Sequence, residues 1–397
     1  MLIVQSKPQA LRVLHVVPTY LPATRYGGPI FSVHGLARAQ AALGADVSVL
    51  TTSVDGTEDS DVPHEQACLL DGVKVWYFRS KWLRRLYFSW AMRRWLQAHV
   101  AEFDVVHLHS VFLFPTNMAA RLCLAAGIPY VIAPRGMLVP ELISGKRRFL
   151  KTAWIRLIER RTLLKAACFH ATSSLELSDA YRLGVPVQNP CVIENGVALP
   201  DQRDWPAPLS APYVLYLGRL SWKKNLDLLI EACGLLTNVH LVLAGAPDQD
   251  SVMGDLQMLV ASCNSQSRVT FLGELKGDEK WAWIQHARIV ALVSKNENFG
   301  NAAAEALCFG TPVVLSNGVG LAAATAAAGA GWVCDATVEA IRSAIAAAFY
   351  DPKEAKKRGR RGQEWAERSL AWHAAALRTM AIYQSFAKPQ GVKASAS

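Results

Sequence analysis

A chain of 397 residues is too long for one ordinary domain and long enough for two, and at 51% hydrophobic each half can bury a sizeable core. Its eight cysteines (Cys68, Cys123, Cys168, Cys191, Cys233, Cys263, Cys308, Cys334) form no C-x-x-C pair, which argues against a zinc site or a disulfide framework and for a reduced compartment. The net charge of +10 is uneven, with +8 in residues 1–200, and comes without a nucleic-acid-binding motif, so no nucleic-acid partner is expected. No signal pattern opens the chain and no uncharged apolar run reaches about 18 residues, so a cytoplasmic protein is expected.

From Leu11 the pattern alternates strand and helix. Arg12–Val17 reads as a buried strand, followed by a Pro- and Gly-rich loop and a helix from about Ile30 to Leu43. Asp46–Leu50, Val73–Phe78, Asp104–His109, Tyr130–Ala133 and Cys168–Ala171 continue the strands, and Cys191–Gly196 closes this half. Two basic segments lie within it. Arg79–Arg94 has six basic residues, no acid and many aromatics, and Lys146–Lys165 has eight basic residues against Glu159. Both read as amphipathic helices suited to an anionic membrane surface, or as core-facing helices with a solvated basic face.

Leu199–Pro212 carries four prolines and has linker composition. Strands then restart at Tyr213–Leu217, Val239–Ala244, Val269–Leu272, Ile289–Val293 and Pro312–Leu315, with helices over Leu226–Leu236 and Ala302–Phe309. The expected fold class is α/β: two Rossmann-like, doubly wound parallel-sheet domains facing a central cleft. Their expected bounds are 1–205 and 206–371, with a C-terminal helix from Trp372 returning to the first domain. The polar tail Lys388–Ser397 is expected to be disordered.

Chemistry concentrates at the ends of the later strands. After Ile289–Val293 come Glu297 and Glu305, eight residues apart across a loop and a helix start. The N–H groups of Phe299, Gly300 and Asn301 sit at that helix N-terminus, which favours anions. Acids beside an anion-binding turn suit a ligand with both hydroxyls and phosphates, such as a sugar nucleotide. After Tyr213–Leu217, Gly218 permits a tight turn from which Arg219 and Lys224 project, with Lys223 an alternative. Fixed cations there would stabilise a departing diphosphate without a metal. In the first half, Gly27-Gly28 at a βα turn lets backbone approach a ligand. It is not G-x-G-x-x-G, so no dinucleotide cofactor is expected. His107 and His109 share a strand face, but no third metal ligand is evident nearby, so no metal is expected. His109 at the strand end is placed against an acceptor, and Arg135 is suited to a phosphate or carboxylate. Asp248-Gln-Asp250 and Asp59-Ser-Asp61 match D-x-D, and both read as solvated loops.

The run Ser294–Val314, with Asn298-Phe299-Gly300 and Glu305-Ala-Leu-x-x-Gly-Thr-Pro-Val-Val314, resembles the E-x7-E signature of retaining glycosyltransferases of family 4. Gly218-Arg219-x4-Lys224 is similar to that family's phosphate clamp, although Asn225 stands where its glycine is usual. Gly27-Gly28 resembles its loop against donor phosphate and acceptor, and Arg135 stands where many members have histidine. The resemblance implies a GT-B fold, a UDP- or GDP-sugar donor, no required metal and retention of configuration. By carry-over, Arg219 and Lys224 hold the diphosphate, Glu305 bonds the ribose, and Glu297 with Asn298 and the amides after it bonds the sugar. Glu274-Leu275 becomes a candidate base-contacting loop. The implied activity is that of a hexosyltransferase acting on a glycan, expected to be polyprenyl-diphosphate-linked, in bacterial surface-polysaccharide synthesis at the inner membrane face. An epimerase of the same fold and a non-catalytic nucleotide-sugar binder are the alternatives.

Overall fold

The computed structural model describes residues 10–26, 28–140, 143, 154–200 and 204–386. They form two compact units. The first holds the described residues up to Thr172, then Glu176–Gly196 and those from Trp372 on; the second holds Ser173–Leu175 and Val197–Ala371. The chain thus leaves the first unit at Gly196, ahead of the expected boundary at 205, and re-enters it at Trp372.

The first unit is built on eight strands: β1 (Arg12–Thr19), β2 (Asp46–Thr52), β3 (Ala67–Leu70), β4 (Val73–Phe78), β5 (Val105–His109), β6 (Tyr130–Ala133), β7 (Cys168–Ala171) and β8 (Pro190–Val192). Their order is β8-β7-β6-β5-β1-β2-β4-β3. All neighbours are parallel except β3, an antiparallel edge strand that the sequence pattern did not suggest. β5, β6 and β7 are buried at every position, which is why they read as continuous apolar runs. Helix α1 (Gly28–Ala42) covers the sheet and meets the C-terminal helix: a Cβ on Gly35 would lie 2.3 Å from the Trp372 ring. Cys168 and Cys191, on neighbouring strands, bring their thiols to 3.2 Å; all eight cysteines are free.

The basic segment Arg79–Arg94 is not one helix. Leu83 and Tyr87 take left-handed backbone angles (φ 48° and 55°) on either side of a single 3-10 turn, Arg84–Leu86. Helix α2 (Trp90–His99) begins only at Ser89, whose Oγ accepts from the Met92 N–H. Helix α3 (Phe114–Ala126) follows β5 and stops at left-handed Gly127. Much of Lys146–Lys165 and the tail Lys388–Ser397 lie outside the described residues; what is described is a π-helical turn at Ile155–Glu159 running into Arg160–Leu164. Among the described residues, no helix is long and apolar enough to cross a membrane.

The second unit has six parallel strands: β9 (Tyr213–Leu217), β10 (His240–Ala244), β11 (Val269–Gly273), β12 (Ile289–Leu292), β13 (Val313–Ser316) and β14 (Gly331–Cys334). Their order is β11-β10-β9-β12-β13-β14. β14 was not expected, because its Gly-Trp-Val-Cys run is short and only partly buried. The chain order reverses between β9 and β12, so the loops after those strands face a topological switch point.

A polar seam runs through the core of the first unit. Parallel register places His15 of β1 opposite His107 of β5, and His109 lies two residues further on the same face. The Arg135 guanidinium donates to His109 Nδ1 at 3.2 Å. Arginine has no acceptor, so neutral His109 carries its proton on Nε2 and donates to His15 Nδ1 at 2.9 Å. His15 Nε2 then donates to Gln40 Oε1 at 2.8 Å, and the Gln40 amide donates to the Tyr383 hydroxyl at 3.3 Å. Tyr383 donates to His107 Nδ1 at 2.6 Å, His107 Nε2 to His170 Nδ1 at 3.3 Å, and His170 Nε2 to the Ile193 carbonyl at 3.0 Å. A pure donor at one end and a pure acceptor at the other fix one direction for the whole chain.

Burial holds these imidazoles neutral. It lowers His15 to about 4 and His170 to about 3, and it lowers His107 and His109 well below the usual value, with the neighbouring positive groups adding to the effect. The unfolded chain would take protons near pH 6.5 that the folded chain refuses until far lower. Stability therefore falls as pH drops below about 6.5, by on the order of 1.4 kcal/mol per pH unit for each histidine involved. Urea unfolding between about pH 7 and about pH 5 should show this loss, and His170→Gln should flatten it; a pH-independent midpoint would remove the neutral assignment.

Candidate functional site

The second unit gathers its chemistry-bearing residues at the carboxyl ends of β9 and β12. Directly after β9, backbone meets backbone: a Cβ on Gly245 would fall 1.8 Å from the Gly218 carbonyl oxygen, so only glycine fits there. The Leu220 N–H donates to the Ala246 carbonyl at 2.9 Å and the Asp248 N–H to the Leu220 carbonyl at 3.0 Å, so the two loops brace each other. That bracing gives Asp248 a structural place, while Asp250 opens a helix (Asp250–Ser262) and Asp59 lies in a short strand (Glu58–Asp59) paired with Arg84, so neither D-x-D match is simply the solvated loop expected. Arg219 projects from this loop as an exposed side chain, and its carbonyl accepts from the Tyr216 hydroxyl at 2.8 Å.

Lys224 ends the 3-10 turn Trp222–Lys224 and pairs with the Glu297 carboxylate. Lys223 instead lies along the Trp222 ring at 5.7 Å, so the structure brings Lys224 and not its neighbour to the acid. Asn225, where glycine was expected, has φ 49° and ψ 44°. Asparagine tolerates that left-handed conformation better than most residues, and its side-chain amide donates to the Val293 carbonyl at 2.9 Å. The substitution therefore keeps the turn and ties it to the end of β12.

The loop carrying Glu297 is held by backbone. The Glu297 N–H donates to the Gly318 carbonyl at 2.8 Å, its carbonyl accepts from the Gly320 N–H at 2.8 Å, and the Phe299 carbonyl accepts from the Leu321 N–H at 3.0 Å. A Cβ on Gly320 would lie 2.0 Å from the Asn298 carbonyl oxygen. Phe299 turns its ring into the core, 3% exposed. Helix α5 (Asn301–Cys308) starts here, and the N–H groups of Phe299, Gly300 and Asn301 find no acceptor among the described residues. That leaves a ready anion site beside Lys224 and Glu297.

Glu305, one turn into α5, is paired at 2.9 Å with Lys280 of α4 (Gly277–His286), whose ammonium lies 3.7 Å over the Trp281 ring. Burial raises the Glu305 carboxyl pKa, and the Lys280 charge opposes that rise. Lys280 was not anticipated, because nothing in the local pattern sets it apart from a helix surface lysine. Glu274 is exposed and pairs with Lys276 at 3.0 Å, while Leu275 is buried in the core. Only the polar side chain and backbone of that pair are thus open to a ligand.

In the first unit, Gly28 opens α1 and Gly27 lies outside the described residues. His109 does not reach an acceptor. It is fully buried, and both ring nitrogens are committed to Arg135 and His15. A strand-end position suggested exposure, but the segment after β5 continues inward at buried Ser110 and Val111. Arg135 has φ 55° and is 8% exposed, with one amino group on Asn195 Oδ1 at 2.9 Å. The third metal-ligand candidate missing from the sequence pattern is His15: nitrogens of His15, His107 and His109 lie within 4.8 Å of one another. Every one of those nitrogens has a hydrogen-bond partner, and a guanidinium stands against the group, so this donor set does not suit a cation.

Comparison with known proteins agrees with this architecture. Residues 27–196 match the family model described as a glycosyl transferase 4-like domain, and residues 200–365 match that of glycosyl transferases group 1. Among curated proteins, the chain is 26% identical over 315 residues to a GDP-mannose:cellobiosyl-diphosphopolyprenol alpha-mannosyltransferase of Komagataeibacter xylinus, covering 78% of this chain and 76% of that protein. It is 27% identical over 406 residues to a glycogen synthase of Mycobacterium tuberculosis, covering 94% of each. Among solved structures, a sucrose-phosphate synthase from Thermosynechococcus elongatus superposes with a TM-score of 0.72 at 21% identity, covering 94% of this chain and 98% of that one. Anabaena HepE in complex with UDP and glucose superposes at 0.71 and 18% identity, over 95% of this chain and all of its own. With a family model matched in each unit and the same fold found across nearly the whole chain, the protein belongs to the GT-B glycosyltransferases of family 4.

Proposed function

We propose that this glycosyltransferase moves a hexose from a UDP- or GDP-sugar to a glycan carried on a polyprenyl diphosphate, with retention of configuration and without a metal. The observation that carries the proposal is the grouping of Lys224, Glu297 and three unbonded amides at the end of β12, with the exposed Arg219 on the adjoining loop. The lipid-linked acceptor draws on the relatives whose names specify a diphosphopolyprenol substrate. Bacterial surface-polysaccharide synthesis at the cytoplasmic membrane face, with peripheral contact to anionic lipid, is the setting in which such an acceptor is met.

On this reading the donor diphosphate takes over Lys224 from Glu297 and is joined by Arg219 and the helix α5 amides. The released Glu297 then turns to the sugar hydroxyls, with Asn298 beside it. Glu305 accepts from the ribose. As the anomeric carbon–oxygen bond to the diphosphate breaks, negative charge grows on the leaving oxygen, where Arg219 and Lys224 stabilise it. The acceptor oxygen bonds to the anomeric carbon on the same face, and its proton passes to the departing phosphate. Preorganised cations supply what a bound metal supplies in other enzymes.

Nucleotide release from a panel of UDP-, GDP- and ADP-sugars without metal tests this assignment, with Glu297→Ala as the control that should abolish it. Conversion of the donor to an epimeric nucleotide sugar without any acceptor would instead identify an epimerase, and tight binding with no turnover for any acceptor a non-catalytic binder. Arg219→Ala and Lys224→Ala should each cost about 2–4 kcal/mol of transition-state stabilisation, and a loss below about tenfold in kcat/KM for both would sink the clamp. Lys280→Met should move the acidic limb of the kcat/KM profile to higher pH, because Glu305 then protonates more readily and stops accepting from ribose. An unmoved limb would take Glu305 out of the donor site.

A further inference from the structure

The first unit carries two pockets that share Phe88 in their walls, together a two-part cavity that the transfer chemistry does not use. Its first part, about 370 Å³, is walled by Leu86, Phe114, Met118, Leu122 and Ile158, with Arg93 and Arg121 as its cationic members. The second part, about 420 Å³, is lined by Arg79, Lys81 and His64, with Glu65 as its acid. Phe88 lines both, its ring 4.3 Å from Phe114 and 5.0 Å from Trp90. Trp154 also lines the apolar part, and Glu159 accepts its indole N–H at 3.1 Å.

Around this cavity the surface is apolar and basic together. Trp82 is 77% exposed, Leu83 64%, Trp90 56% and Leu157 80%. Left-handed backbone at Leu83 and Tyr87 breaks what would otherwise be a helix in the segment that carries Trp82 and Leu83. Arg84 is tied to Asp59 at 2.8 Å, but Lys81, Arg85, Arg93, Arg94 and Arg121 pair with no carboxylate among the described residues. Exposed aromatic groups beside unpaired cations mark a surface made for an anionic interface rather than for water. Volumes of about 370 and 420 Å³ are on the scale of a small ligand such as one hydrocarbon tail and its headgroup.

We infer that this cavity binds a phosphate-headed membrane lipid, its tail running past Phe88 into the apolar part and its phosphate held by Arg79 and Lys81. The inference deepens the membrane contact named in the proposed function by assigning a site to it, and it uses none of the donor residues. His64 accepts from Arg79 Nε at 3.4 Å and so orients that guanidinium within the basic part.

The test uses the full chain with vesicles of phosphatidylcholine alone, or of phosphatidylcholine with phosphatidylglycerol, in sedimentation and fluorescence. Binding to the anionic vesicles should be about tenfold tighter or more, and the pair Arg79→Glu and Lys81→Glu should remove that preference. Phosphatidylglycerol brominated along its chains should quench tryptophan emission, and Trp154→Phe should take away a distinct part of the quenching. Leu122→Trp, which fills the apolar part, should weaken binding about threefold or more. If that variant misfolds, the Trp154 difference decides alone. Equal binding to both vesicles, no effect of charge reversal, or quenching unaltered by Trp154→Phe would overturn the assignment. Donor turnover on the same preparations reports separately, so a failed transferase reading leaves the vesicle result standing, and the reverse.

Discussion

Everything proposed for the donor side depends on one arrangement of backbone: the Glu297 loop hydrogen-bonded on both sides to the turn at Gly318–Gly320. Two neighbouring parallel strands, β12 and β13, in effect keep their ladder for a few residues beyond the sheet, now through loops. The loop's position is therefore set without help from its polar side chains. The Glu297 carboxylate takes no part in holding the loop and pairs with Lys224 instead, and Phe299 is spent on the core below it. A rigid support made of main chain, with functional groups projecting from it, is what a site needs if its geometry is to survive ligand exchange.

The same economy holds for charge. Each acid of the site rests against a lysine, Glu297 against Lys224 and Glu305 against Lys280, so neither carboxylate is left uncompensated in a half-buried place. A partner already in position also means that Lys224 loses little further side-chain freedom when an anionic ligand arrives. Tyr216 lies close by, its hydroxyl on the Arg219 carbonyl, and burial with the nearby Glu297 charge raises its pKa, so it stays a neutral donor that steadies the loop.

Much of this was legible in the chain, and the exceptions have physical causes. Buried parallel strands announce themselves as apolar runs, and the E-x7-E and Gly-Arg-x4-Lys spacings each span less than ten residues just past one strand, so local reading reaches them. β3 and β14 were missed because an edge strand is only partly buried and its run of apolar residues is short. The Arg79–Arg94 segment has the composition of an amphipathic helix, and nothing in that composition reveals two bulky residues in left-handed conformation. Lys280, His15, His170 and Tyr383 join their partners across 25 to 343 residues of sequence, through pairing that no local window contains. Gly318-Val-Gly320, just past β13, was the one overlooked feature with a readable signal: two glycines at a βα turn, as at Gly27-Gly28.

The one-way hydrogen-bond chain from Arg135 to Ile193 makes its members an inheritance unit. Each imidazole must accept on one side and donate on the other, and reversing any one would set two donors or two acceptors face to face. A replacement at His15 changes what is tolerable at His109 and Gln40, and one at Tyr383, near the far end of the chain, changes what is tolerable at His107. These positions should therefore drift together or not at all, whatever happens to the surface around them, and the first strand of the domain is bound to its last helix by a shared history as well as by contact.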